Sequence, residues 1–180
     1  MVRVANAWYD AHHQFFNTLF PRLFPSVTGR GKKSKWKAKW HEEAWGEFFL
    51  AFWEEVHAHY RTEPSHVPGH RLWDVGHSQL TIAIVLAEVQ KAFLDNLNAQ
   101  DEDFFDVPDT EDPLEYLTKK VRQRAEKFVK FLPPEFFSTK WAITSLNTGS
   151  GRKDLESCIR GLVDSKGKYQ FTQHRLITGA

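Results

Sequence analysis

Cations crowd one short stretch of the chain: Arg30, Lys32, Lys33, Lys35, Lys37 and Lys39, with Trp36 and Trp40 between them. Ammonium groups neutralise phosphates and release counterions, while indole faces stack on unpaired bases. The mixture suits a nucleic-acid backbone, DNA or RNA, with Trp36 as the stacking residue. The same pattern also fits a solvated loop whose tryptophans open the core stripe of the next helix. A second basic feature is Lys119, Lys120, Arg122, Arg124, Lys127 and Lys130, where Glu126 is the only acid. Lys119, Arg122 and Arg124 would support phosphate contact if this face lay beside the first cluster. The alternative is internal ion pairing with the seven acids between Gln100 and Asp112.

Asn147-Thr148-Gly149-Ser150-Gly151-Arg152-Lys153 offers a third place for an anion. Free amides, glycines and the two cations Arg152 and Lys153 at a helix start attract negative charge. The spacing is not that of a P-loop, and a glycine turn capped by Ser150 accounts for it as well. Five histidines, His57, His59, His66, His70 and His77, fall within 21 residues. Imidazole is a common transition-metal ligand, and Glu54 or Glu55 could add oxygen. Yet His57 and His59 diverge on a helix, Pro68 and Gly69 interrupt His66 and His70, and no His-Glu-x-x-His motif occurs. Loop and core histidines are the expectation, with a metal-dependent enzyme as a distant alternative. No Gly-x-Ser-x-Gly elbow exists, and Cys158 falls beside an apolar helix stripe. No catalytic residue, metal or cofactor is assigned.

The elements that must carry these residues are helical. A first helix is expected over about Ala5–Phe20, closed by Pro21 and Pro25, then a basic loop over Thr28–Lys39. The second spans about Lys39–Tyr60, because Trp45, Phe48, Phe49, Phe52, Val56 and Tyr60 recur at three and four. After a Pro/Gly loop over Arg61–Gly76, Ser78 is the expected cap of a central helix reaching Asn98. Asp112-Pro113-Leu114-Glu115 then reads as a capped start, with Leu114, Leu117, Val121, Phe128 and Leu132 inward. Pro133-Pro134 ends that helix. A short one follows over Pro134–Ile143, and a last one over about Lys153–Asp164 with Leu155, Ile159, Leu162 and Val163 inward. Residues Lys168–Thr178 are expected as an extended tail.

These elements add up to an all-α, single domain of five or six helices in 180 residues, around an aromatic-rich core. With 14% aromatic residues the chain has ample bulk for that core. Against 23 Asp plus Glu stand 24 Lys plus Arg, so a uniformly basic nucleic-acid coat is excluded. A lone cysteine excludes an internal disulfide and a cysteine zinc cluster, and the expected setting is cytoplasmic. The most apolar run, Leu80–Ala87, is far shorter than the roughly 20 residues of a membrane span, so no membrane partner is expected.

Several segments share an order with a known family. They are Trp45 through Tyr60, Leu72-Trp73-Asp74-Val75-Gly76-His77-Ser78-Gln79-Leu80-Thr81, Glu135-Phe136-Phe137-Ser138-Thr139-Lys140-Trp141, and Ser145 through Arg152. Over about residues 40–178 the chain resembles the helical region downstream of the signature in DGQHR-type proteins. These are relatives of the DndB group, linked to DNA modification and phage defence. The Asp-Gly-Gln-His-Arg signature itself is absent. Gln173-His174-Arg175 echoes it at the other end of the chain, and no functional residue is carried over. The resemblance implies a helical part working beside DNA in a multi-component system, with chemistry done elsewhere. Two main readings result: a non-enzymatic domain binding nucleic-acid backbone, and a protein-interaction module docking on a larger subunit or on itself through surplus aromatics.

Overall fold

The computed structural model describes residues 32–99, 106–108, 111–138 and 146–171, with residues 32–41 and 98 placed by their backbone alone. The expected helix over Ala5–Phe20, most of the acidic connector and the tail beyond Phe171 lie outside the described residues. Five helices occupy the rest: α1 Lys32–Tyr60, α2 Ala83–Asn98, α3 Pro113–Val129, α4 Pro134–Ser138 and α5 Gly149–Asp164. The all-α class stands.

The longest helix, α1, has 29 residues and so runs about 43 Å. Its inward row is Ala44, Phe48, Phe52, Val56 and Tyr60, all buried at i, i+4 spacing. The companion aromatics Trp45 and Phe49 are only half-buried. Its most extensive packing is on α3. Arg122 bonds Glu54, and the Tyr60 hydroxyl reaches the carbonyls of Val129 and Leu132. Partners at the two places are 68 and 69 to 72 residues apart, so α1 and α3 run parallel. Between α2 and α3 the sense reverses, since Phe93 meets Phe128 while Asn96 meets Arg124.

The core is one hydrophobic cluster shared by all five helices. At its centre the Phe52 ring stacks on Phe93 at 4.4 Å, and Phe128 meets both edge-on at 6.3 and 5.3 Å. This triad ties α1, α2 and α3 together. Tyr60 extends it to Phe137 of α4 at 5.0 Å, and Phe136 extends it to Phe171 at 5.6 Å. On α5 the buried residues are Gly151, Leu155, Cys158, Ile159, Leu162 and Val163.

Three helix starts differ from expectation. Residues Lys32–Lys39 are the first turns of α1, not a loop. Gly31 is the last glycine before Gly46, and lysine is a good helix former, so nothing stops the helix there. The central helix starts at Ala83 rather than after Ser78. Ser78 is committed elsewhere: its hydroxyl donates to the Leu72 carbonyl and accepts from the Leu80 amide at 3.1 Å. In α5 the cap is Thr148, which accepts from the Gly151 amide at 3.0 Å, and not Ser150. The α3 start is as expected. Asp112 accepts from the Leu114 and Glu115 amides at 3.0 Å each, with Pro113 in the first turn.

Candidate nucleic-acid interface

Five lysines, at positions 32, 33, 35, 37 and 39, sit on the first turns of α1, and the first turn holds no acid. Free amides at a helix start add partial positive charge to that end. Arg30 lies outside the described residues. The register is informative about the tryptophans. Positions 36 and 40 continue the i, i+4 row of the buried Ala44, Phe48 and Phe52. That row turns about 40° per step, so position 36 stands about 160° round the helix from Phe52, with positions 35 and 39 on one side of it and 33 and 37 on the other.

The supporting cations do not gather at one place. Arg122 is held at 2.6 Å from Glu54 and 3.6 Å from Glu55, both on α1. Arg124 turns to α2, where it donates to the Asn96 side chain at 2.9 Å, and partial burial lowers its pKa from the ordinary guanidinium value. Lys119 is exposed and lines a groove of about 410 Å³ with Glu47, Asp112, Glu115, Thr118 and Arg122. Arg152 is exposed on the first turn of α5, close enough to Glu88 of α2 to act on its carboxyl. Thus Lys119 and Arg122 share the α1 side of α3, whereas Arg124 and Arg152 face the α2 side of the molecule.

Other groups separate in the same way. Cys158 is buried, and desolvation pushes its thiol up to about 12, which makes it a poor nucleophile. His57 packs edge-on against Trp73 at 5.0 Å, and His59 against Tyr60 at 4.6 Å. Burial, outweighing nearby Glu63, holds the His59 pKa below the ordinary imidazole value. Among the described residues no three His, Cys, Asp or Glu side chains form a group that would hold a metal. No described helix is long and apolar enough to cross a membrane.

Two features were not singled out in the sequence. A cleft of about 360 Å³ lies between α2 and α5, with Glu88, Asp95, Glu156 and Asp164 facing Lys91 and Arg160. Lys91 bonds Glu156 at 2.7 Å and Arg160 bonds the same carboxylate at 3.1 Å. The second is a ladder of half-buried rings along α1 that ends on the following segment: Trp45 on Phe49 at 5.6 Å, Phe49 on Trp53 at 6.3 Å, and Trp53 beside Trp73 at 6.5 Å. Leu50, 54% exposed, lies one residue from Phe49 on α1. Comparison with protein-family models, curated proteins and solved structures returned no match for this chain.

Proposed function

We propose that the chain is a non-enzymatic helical domain that binds nucleic-acid backbone through the first turns of α1. The observation that carries this reading is the run of five lysines on one continuous helix start with no acid in its first turn. A helix presents such cations at fixed spacing to a phosphate chain, and its own dipole adds to them. Of the cations on α3, Lys119 is the one kept in support, since Arg122 and Arg124 already have partners. Trp36, on the same turns as the lysines, is the stacking residue of this reading. Contact with phosphate alone carries no sequence information, so binding should be weakly selective. An accessory role beside DNA in a modification or defence system rests on the resemblance of sequence segments to DGQHR-type proteins alone.

The test is binding of the full chain to single- and double-stranded DNA and RNA at two salt concentrations. A Lys32→Ala/Lys33→Ala/Lys35→Ala variant is measured alongside. On duplex DNA each phosphate contact contributes about 0.9 to the slope of log K against log salt, so the variant should lose up to about 2.7. An unchanged slope and affinity would sink the proposal. No binding at low salt would move the aromatic ladder and Leu50 to the front, as the docking face of a protein-interaction module.

A further inference from the structure

The segment between α1 and α2 has no regular secondary structure, yet its backbone closes on itself twice. Pro64 and Arg71 form an antiparallel bridge, and the Ser65 amide donates to the His70 carbonyl at 2.9 Å. Beyond the bridge, residues 70–77 turn back. The His77 amide donates to the Asp74 carbonyl at 3.1 Å, and Gly76 takes a φ of +82° that favours glycine. Buried Leu72 and Leu80 anchor the segment, and the Gln79 amide donates to the Phe137 carbonyl at 3.0 Å. The turn lays the His70 and His77 rings face to face, with centroids 3.6 Å apart and planes within 11°. Asp74 lies beside them. Its Oδ2 is 3.3 Å from His70 Nδ1 and accepts from the Arg71 amide at 2.8 Å. The side chains of His70 and Asp74 are 41% and 45% exposed, so protons reach them from solvent.

We propose that this stack is a proton-operated latch: one proton is held on His70 against Asp74, and a second, on His77, drives the rings apart and opens the turn over residues 70–77. Histidine is the side chain that changes its charge across mildly acid and neutral pH. The first proton adds an ion pair with Asp74. The second sets two like charges on stacked rings, and even in water such charges about 4 Å apart shift an equilibrium about fivefold. The other charged and titratable groups around the segment face elsewhere. The Arg71 guanidinium donates to the Thr62 carbonyl at 2.7 Å, Glu63 acts on His59 and Tyr60, and His66 is exposed. On α1, His57 lies against Trp73 and His59 against Tyr60, while Glu54 and Glu55 face Arg122. On α4 the acid is Glu135, in the first turn. Among the described residues Asp74 is thus the carboxylate paired with the stack, and it is committed to His70.

Once the first proton is in place, the closed turn takes the second less readily than the open one, so closure is lost as pH falls. Asp74 acts in the same direction at lower pH. The Arg71 amide, ahead of the two histidines, holds its carboxyl below the ordinary range, and that contribution is lost as its proton returns. Trp73 rides on the turn, 6.5 Å from Trp53 and edge-on to His57 at 5.0 Å. Opening therefore frees the last ring of the aromatic ladder in mild acid. None of this depends on the nucleic-acid reading.

Amide hydrogen exchange of the full chain, followed by NMR at about pH 7.5 and about pH 5 and corrected for intrinsic exchange, tests the latch. The reporters are the Ser65 and Arg71 amides, with Val121 of α3 as the core control. His77→Phe keeps a flat ring beside His70 and takes no proton. Near pH 5 both reporters should be at least about fivefold better protected in this variant than in the parent, and near pH 7.5 the two chains should match. In the unaltered protein, falling pH should shift the His70 ring signal first and the His77 signal second. Equal loss of protection in parent and variant, loss shared by Val121, or both rings shifting in one step would each overturn the proposal. Because the ring signals are read on the unaltered protein, the answer does not depend on the variant folding.

Discussion

Removing one oxygen atom tests whether α1 and α3 are held in register as described. Tyr60 is buried at the last residue of α1, and its hydroxyl donates to the Leu132 carbonyl at 2.6 Å with the Val129 carbonyl at 3.0 Å. Val129 has a second partner, the Leu132 amide at 3.1 Å, so Leu132 is the carbonyl with most to lose. Tyr60→Phe keeps the ring and its edge contact with Phe137, and deletes only the hydrogen bond. A buried acceptor left without a donor costs about 1–3 kcal/mol. For a chain of this size each kcal/mol lowers Tm by about 2–4 °C, so a fall of about 2–12 °C is expected. Thermal unfolding by circular dichroism reads it directly. A second readout needs no mutation. Burial raises the Tyr60 phenol far above its ordinary value, with Glu63 adding to it, so its 295 nm absorbance should change only when the protein unfolds in alkali. A phenylalanine variant as stable as the parent, or a full tyrosine titration with the fold intact, would show the hydroxyl to be solvated and the helix register wrong.

Two further outcomes follow from buried groups. At pH 8 a thiol with a pKa near 12 is ionised to about one part in ten thousand, so Cys158 should resist a thiol reagent in the native protein. It should react with one equivalent once the chain is unfolded, and equally fast native labelling would contradict its place in the core. Glu88 is half-buried in the α2–α5 cleft, where desolvation, partly offset by Lys91, raises its carboxyl above the ordinary value. The native state therefore holds that proton more tightly than the unfolded chain, and stability falls as pH rises from the ordinary carboxylate value through the raised one. Glu88→Gln should match or exceed the parent in Tm at pH 7 and lose that advantage in acid. A variant less stable at pH 7 than in acid, relative to the parent, would reverse the sign.

Where a local pattern had no competitor, the chain was legible. The Asp112-Pro113-x-Glu115 start forms as written, because capping and proline placement depend only on neighbours. The inward rows of α1, α3 and α5 were readable from spacing, and Leu117, Val121 and Phe128 are buried as expected. Ser78 was misread for a reason no local rule contains: its hydroxyl is used by Leu72 and Leu80, and Phe137 takes the next amide. Thr148 and Ser150 are two cap-capable residues around one glycine, and spacing alone does not rank them. The Lys32–Lys39 stretch was misread from composition. Its glycines all precede Lys32, so the lysines belong to the helix that follows.

The candidate site was less legible because charge in a sequence gives supply without demand. Arg122, Arg124 and Lys119 stand within six residues and look equivalent on a basic helix. A rotation of about 100° per residue sends 122 and 124 to opposite faces, and the parallel run of α1 then sets Glu54 and Glu55 against Arg122 alone. Only tertiary register distinguishes a cation already neutralised from one available to phosphate. The same holds for His70 and His77, whose seven-residue spacing gives no sign that Gly76 and the Asp74–His77 turn stack their rings face to face. The lysines of α1 differ from both cases in one respect. No acid stands within four residues of Lys32, Lys33, Lys35 or Lys37 in the sequence, whereas Glu42 and Glu43 follow Lys39 at the spacing of a helical ion pair. That separation is why the backbone-binding reading rests on α1 and not on the more cation-rich face of α3.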